Sequence, residues 1–405
     1  MSTIPGDADA GLDVAWSFLT PNEPPLSMFH KVDRLLKAGA QVLESDDAQG
    51  YYVAIDSKSM MEILRDPKRF SSQAVMAIDP EPEYRLTPIM TDPPIHTTWR
   101  QLLASHFSPG RVKQFEPRIR QHAAELVNGL APLGRCDFVD EFATQLPVVA
   151  FLELLGLPPD DLPKIRHWEQ LIDHPDPVDD PDRAKFTKAM EEVGAYFAGH
   201  IEERRRTLTG EVQDLISESL KWRIDGAPIP DEQLLSFCLM MFVAGMDTTA
   251  SQLGYIFYHL GTHDGDRRRI VEQPEIRARA LEELLRAYPI IQLGRKVSED
   301  TEVGGCPMRA GMMVTMPLAG ANRDPQEYDN PDLVDFDRDF IRHIGFGVGP
   351  HRCLGLHLAR LTMTIALDEW HRVISDYRVE ENAPMFELTG GIAGIHKLPL
   401  TWDTP

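Results

Sequence analysis

Residues Phe346–Gly355 read "FGVGPHRCLG", a glycine-spaced run that closes on Cys353 and leads straight into the helical-looking "LHLARLTMTIALDEWHRVI". Three chemistries compete for this stretch. A phosphate-cradling loop needs a third glycine at a set offset and an acidic residue further on, and neither is present. A buried structural cysteine beside a glycine turn is the plainest alternative. The third is a thiolate ligand of haem iron, which pushes electron density onto the metal and favours O–O cleavage. Such a thiolate must stay ionised in a dry site. Backbone N–H groups aimed at the sulfur help, and Gly347, Gly349 and Gly355 let the backbone approach that closely. A cysteine just ahead of a helix also gains from the positive end of the helix dipole. Several spaced positions agree on the thiolate, which is the reading carried forward.

The 405-residue chain is 42% hydrophobic and 26% charged, as expected of a soluble globular protein with a large core. Its net charge of −22 argues against nucleic acid or an anionic membrane as the main partner. The four cysteines, Cys136, Cys238, Cys306 and Cys353, are widely separated and form no C-x-x-C. That spacing disfavours a structural zinc site, an iron–sulfur cluster and a disulfide framework. The opening "MSTIPGDADAGLDVAW" has neither the basic region nor the apolar run of a targeting segment, so a cytoplasmic location is expected. The longest apolar stretches, near 146–158 and 234–246, fall short of the ~20 residues that span a bilayer and are expected to be buried core helices.

Helical periodicity dominates from about residue 100 to 290, in "AAELVNGLAPL", "AKFTKAMEEVGAYFAGHIEERRR", "DEQLLSFCLMMFVAGMDTT" and "EIRARALEELLRAY". Asp231 stands where an N-cap should. Strand signals are sparse: a hairpin from "QVLE" to "YYVAI" (51–55), then "DTEV" (300–303), "MMVTM" (312–316) and "KLPLTW" (397–402). The expected fold is mainly α with a small β region. Strands from both ends must meet, so residues 1–405 are expected to form a single domain, β-rich near 35–60, 295–320 and 385–402.

Three further constellations carry chemistry. "AGMDTT" (244–249) sets polar groups inside an apolar helix, which is costly unless they are paired or hydrated. Thr248 can bond back to the Ala244 carbonyl and open the helix, while Ala244 and Gly245 are small enough to admit a flat cofactor. Asp247 could then relay protons and Thr248 position a water or an oxygen ligand. The alternative is a frayed helix end, but the helical pattern continues through "ASQLGYIFYHL". Glu283 and Arg286 form an E-x-x-R pair on one helix face. Glu202–Arg205 and Glu203–Arg206 share that spacing in the solvated "EERRR"; Leu281, Leu284 and Leu285 make burial of Glu283–Arg286 the expectation, with Arg338 as a further partner. Finally, His96, Arg100, Arg295 and His351 are scattered cations that together would suit the propionates of a haem.

Taken together, these motifs resemble the cytochrome P450 family of haem-thiolate monooxygenases. "FGVGPHRCLG" resembles its cysteine loop, "AGMDTT" its oxygen-activating helix, "ELLR" its E-x-x-R pair and "DPPIHTTWR" the helix that meets the propionates. Within the family the chain resembles the bacterial class I enzymes, and the camphor-hydroxylase group most of all, through "YRLTPIMTDPP" with Tyr84 ahead of "DPP". The resemblance implies the triangular-prism P450 fold, with haem b held between the long central helix and the helix of the cysteine loop. It implies Cys353 as axial iron ligand and Asp247 with Thr248 as the acid–alcohol pair delivering protons to dioxygen. His96, Arg100, Arg295 and His351 would bind propionates, and Ala244, Gly245, Phe346 and Gly355 would adjoin the haem. Tyr84, Leu86, Met240, Val243 and Ile392 would line the substrate pocket, with Tyr84 donating to a substrate oxygen. Arg100 and Arg352 would mark the docking face for a [2Fe–2S] ferredoxin, itself fed by an FAD-dependent NAD(P)H reductase. The expected activity is hydroxylation of a small apolar terpenoid or norisoprenoid by a monomeric enzyme. A peroxide-driven haem-thiolate peroxygenase and a non-catalytic haem-binding sensor are the competing readings.

Overall fold

The structure, a computed structural model, describes residues 16–173, 184–207 and 214–404; most of the acidic opening, 1–15, lies outside the described residues. The periodic stretches form the helices Glu116–Leu130, Ala184–Thr207, Asp231–Gly245, Arg277–Ala287 and Leu356–Val373. Their burial follows the helical repeat: Ile119, Ala123, Val127 and Leu130 face inward from the first. Helix Gln145–Leu155 is apolar almost all round and sits in the core. Asp231 departs from expectation. Pro230 occupies the cap position without a side-chain cap, and Asp231 begins the helix, where its charge suits the dipole and pairs with Arg205 at 2.5 Å.

The apolar run near 234–246 also proves longer than its sequence limits implied. Helix Asp231–Gly245 is followed, after a break at Met246, by helix Asp247–Thr262. Together they make a 32-residue span, the one helix among the described residues long and apolar enough to cross a membrane. More than half of its apolar window is buried within the protein, as befits a central core helix. An aromatic cluster pins it: Phe257 stacks on Phe138 at 4.0 Å and meets Trp370, on the Leu356–Val373 helix, edge-on at 5.5 Å.

The expected hairpin, Val42–Ser45 with Tyr51–Ala54, is the start of a five-stranded sheet. Met313–Pro317 joins it in parallel, Gln292–Val297 adds antiparallel, and Phe70–Ser71 closes the far edge. On strand Gln292–Val297 side chains alternate, so Leu293 and Arg295 share one face. Thr301–Val303 pairs with Cys306–Met308, and Pro399–Thr401 lies between Arg378–Val379 and Arg135–Asp137. Thr20–Glu23 pairs with Glu387–Thr389, so the two ends of the described chain meet. Buried Glu387 clamps that junction by accepting from the Leu26 and Met28 N–H groups and the Tyr255 hydroxyl. The strands Thr20–Glu23 and Arg135–Asp137 lie outside the expected β portions; each is three or four residues long with no alternating pattern to reveal it.

Candidate active site

The loop around Cys353 is built by its own backbone. Asn322 Oδ1 accepts from the Ile344 N–H at 2.8 Å, Gly347 N–H reaches the Ile344 carbonyl at 2.7 Å, and Cys353 N–H reaches the Phe346 carbonyl at 2.8 Å. Two glycines are required. Gly347 and Gly349 have φ of +70° and +77°, and a Cβ on Gly349 would lie 2.4 Å from the Leu64 carbonyl oxygen. Gly355 is different: its φ is −80° and nothing lies within 4 Å of a Cβ there. It is the cap residue of helix Leu356–Val373, and its backbone N–H serves the sulfur. Burial pushes the Cys353 thiol up, while that N–H and the charges of Arg100, Arg360 and Arg352 pull it down. The opposing cations are those that would hold a thiolate.

The central helix is broken where "AGMDTT" predicted. Met246 has φ −107° and ψ −65°, and Thr248 Oγ1 donates to the Ala244 carbonyl at 3.0 Å. The threonine takes over a carbonyl of the helical ladder, which opens the turn. Asp247 is buried and accepts from Ser251 Oγ at 3.1 Å. Val243, Ala244 and Thr248 are half-buried and Gly245 is exposed, although Phe242, Met246 and Asp247 beside them are buried. On the cysteine loop Phe346, Cys353 and Leu354 are half-buried too. Both segments thus keep accessible surface.

The four expected cations come together from three separate segments. His96 and His351 stack at 3.8 Å, and His351 Nε2 is 3.0 Å from Ser72 Oγ. Arg295 is buried and donates to the Gly294 carbonyl at 2.6 Å. Burial, then the charges of Arg100 and Arg295, hold His96 down to about 4; burial with Arg295, His96 and Arg100 holds His351 down to about 2. Burial alone lowers Arg295 to about 10. The anion whose charge reaches Arg295 is Asp92, itself engaged by Ser71 Oγ and the Ser72 N–H. A cluster with this much mutual repulsion fits a dianionic ligand, and the two propionates of a haem supply it.

Glu283 and Arg286 are fully buried and paired at two 2.8 Å contacts. Arg286 also donates to the carbonyls of Asn322, Pro331 and Leu333. Arg338 joins Glu283 at 3.2 Å, as expected. The network holds the segment that presents Asn322 Oδ1 to Ile344, so it reaches the cysteine loop. Among the described residues no group of three or more His, Cys, Asp or Glu side chains could hold a metal by themselves.

A family model described as "Cytochrome P450" matches residues 164–274 and 275–391. The chain is a cytochrome P450. It is 31% identical over 88% of its length, and 84% of the relative's, to "Probable cytochrome P450 127A1" of Sinorhizobium fredii. It is 30% identical over 87% of its length, and 84% of the relative's, to "Methyl-branched lipid omega-hydroxylase" of Mycobacterium tuberculosis. The solved structure of CYP101J2, a camphor-family P450, matches with a TM-score of 0.86 at 29% identity over 96% of both chains. This cytochrome P450 is therefore a monooxygenase with haem b as its cofactor, in the fold the resemblance implied.

The remaining site residues of the P450 are less converged. Leu86, Val243 and Ile392 are half-buried apolar side chains, and Met240 is buried within the core. Tyr84 is 42% exposed, with its hydroxyl 3.6 Å from Met76 Sδ. Arg352 is exposed and Arg100 half-buried. Several participants escaped the sequence reading: Ser72 beside His351, Ser251 on Asp247, and Arg360 near the sulfur. The signal for Ser251 was its helical offset, one turn past Asp247; Arg360 lies on the helix that Cys353 only precedes, so no helical offset links those two. Ser72 had none.

Proposed function

We propose that this P450 hydroxylates a small apolar substrate of terpenoid or norisoprenoid type in the cytoplasm, as a monomer and a single domain. Its electrons would come from NAD(P)H through an FAD-dependent reductase and a [2Fe–2S] ferredoxin. The observation that carries the reading is Cys353, hydrogen-bonded by the Gly355 N–H at the head of helix Leu356–Val373 and acted on by the charges of three arginines, in a chain whose central helix Thr248 opens.

Haem, when bound, supplies the reductive activation of dioxygen and the insertion of one oxygen atom into a C–H bond. The chain does the rest. Cys353 would hold the haem iron through its sulfur, which the Gly355 N–H hydrogen-bonds. His96, Arg100, Arg295 and His351 would hold the propionates, and Ala244, Gly245, Phe346 and Gly355 would adjoin the macrocycle. Asp247, kept in place by Ser251, passes protons inward, and Thr248 hands them on from the break in the helix. Leu86, Met240, Val243 and Ile392 offer an apolar wall. A neutral hydrocarbon skeleton suits it, and Tyr84 can meet a substrate oxygen from the loop. Arg100 and Arg352 give an acidic ferredoxin cations near the sulfur, on a chain whose overall charge is −22.

Cys353→His tests the core of this reading. The reduced, carbon monoxide-bound form should lose the thiolate-type Soret band; its survival would mean that another residue is the ligand. Substrate class is tested by haem spin-state shifts across a panel of small terpenoids, with fatty acids as the contrast. Tyr84→Phe should weaken ketones and ethers but not hydrocarbons.

A further inference from the structure

Against the start of the cysteine loop lies a second charged cluster that none of the family motifs discussed above includes. Glu282 neighbours Glu283 on helix Arg277–Ala287 but points elsewhere. Its carboxylate accepts from Arg360 Nε at 2.6 Å and from the Arg360 terminal nitrogen at 2.8 Å, a bidentate pair. It also faces His343 Nε2 at 3.0 Å. The tautomer of that histidine follows from its other nitrogen. Gly345 N–H donates to His343 Nδ1 at 3.1 Å, so Nδ1 carries no proton and Nε2 donates to Glu282. Burial pushes the Glu282 carboxyl up, and Arg360 first and His343 second pull it down.

The pair is wedged between three elements. Arg360 comes from helix Leu356–Val373, Glu282 from Arg277–Ala287, and His343 from the start of the cysteine loop. The guanidinium carbon of Arg360 lies 4.5 Å from the centre of the Phe346 ring, and the Phe346 carbonyl accepts the Cys353 N–H. Gly345 fits into the corner, where a Cβ would stand 3.1 Å from both the Leu285 carbonyl and His343 Nδ1. Arg360 thus has little freedom: its cation is fixed by Glu282 on one side and the aromatic face on the other. Its field reaches the Cys353 sulfur.

We infer that Arg360 and Glu282 are positioning residues that set the reduction potential of the haem-thiolate centre, Arg360 as a fixed cation behind Phe346 and Glu282 as the anion that orients and partly cancels it. Adding one electron to the centre makes it more negative. A nearby cation favours that state and a nearby anion opposes it. The two residues therefore have opposite signs of effect, which no purely structural role would produce. The inference rests on Cys353 as the thiolate ligand.

The test is a dithionite titration of the substrate-free holoenzyme, with redox dyes and the Soret band as readout. Arg360→Gln should shift the midpoint potential to more negative values. Glu282→Gln, which keeps the shape and one acceptor but removes the charge, should shift it to more positive values. The double variant should return towards the unmodified protein. Arg360→Lys, which keeps the charge and loses the fork, should recover much of the Arg360→Gln shift. If Arg360→Gln takes up no haem, Glu282→Gln and Arg360→Lys decide alone, with a positive shift expected in the first and a small one in the second. Shifts of the same sign in Glu282→Gln and Arg360→Gln, or no shift in Glu282→Gln with the thiolate-type carbon monoxide band intact, overturn the inference. Absence of that band from the unmodified protein strikes the ligand assignment instead.

Discussion

Arg286→Leu is the perturbation that most directly probes how the site is held. The arginine side chain is 0% exposed, as is that of its partner Glu283. The substitution leaves a buried carboxylate with the Arg338 Nε at 3.2 Å and the Asp335 N–H at 3.0 Å, and strips the carbonyls of Asn322, Pro331 and Leu333 of a donor. Removing one member of a buried pair costs about 3–5 kcal/mol. Lost donors to buried carbonyls add to this, at about 1–3 kcal/mol for each that water cannot reach. A fold of this kind holds a total stability of about 5–15 kcal/mol. The internal standard is Arg205–Asp231, whose side chains are 52% and 65% exposed, and such a pair contributes about 0–1 kcal/mol. Urea unfolding followed by tryptophan fluorescence, with haem content measured in parallel, should show Arg286→Leu losing several times the stability lost by Asp231→Ala. Replacing both partners with leucine should not restore it, because the Asn322 and Pro331 carbonyls still lack their donor, Arg338 serving only that of Leu333. If Arg286→Leu costs no more than Asp231→Ala, the pair is not the clamp described here.

Other outcomes follow from single observations. Thr248→Ala should uncouple electron use from product, with peroxide rising as product per NAD(P)H falls; Asp247→Asn should slow turnover by about 10²-fold or more. Unchanged coupling in both would remove the proton-delivery role. Gly349→Ala should abolish haem uptake, since φ +77° and a Cβ 2.4 Å from the Leu64 carbonyl cannot both be accommodated, whereas Gly355→Ala should still fold. The haem-free protein should lose stability as pH falls from about 6.5 to about 4, because the unfolded chain protonates His96 near its ordinary value and the folded chain does not. His351, held down to about 2, extends the same loss to lower pH. The holoprotein should be less steep in this window, since propionates favour the imidazolium; an identical pH profile for both forms would argue against propionates at this cluster.

What could be read from the chain was chemistry confined to one short segment. In "FGVGPHRCLG" the ligand, the glycines and the following helix all lie within a dozen residues, and in "AGMDTT" the polar cluster and the carbonyl it takes are one turn apart. Local spacing carries that information, and the structure keeps it. Even there the glycines looked alike, and only the closeness of the Leu64 carbonyl separates Gly349 from Gly355. E-x-x-R shows the opposite case. The spacing occurs at Glu62–Arg65, Glu202–Arg205, Glu203–Arg206, Glu283–Arg286 and Glu369–Arg372, and burial of both side chains makes Glu283–Arg286 a clamp. The short strands Thr20–Glu23 and Arg135–Asp137 were invisible because too few residues show a period and their partners lie hundreds of positions away. The same holds for the charges. The sequence offers His96, Arg295 and His351 as a scattered set of cations, but their stacking, their mutual repulsion and the Ser72 contact exist only where a loop, a strand and a helix converge. Glu282, His343 and Arg360 carry no shared spacing at all. Electrostatics acts through space, so which cations face the sulfur was decided by the tertiary structure, while the sequence by itself determined that there would be a sulfur to face.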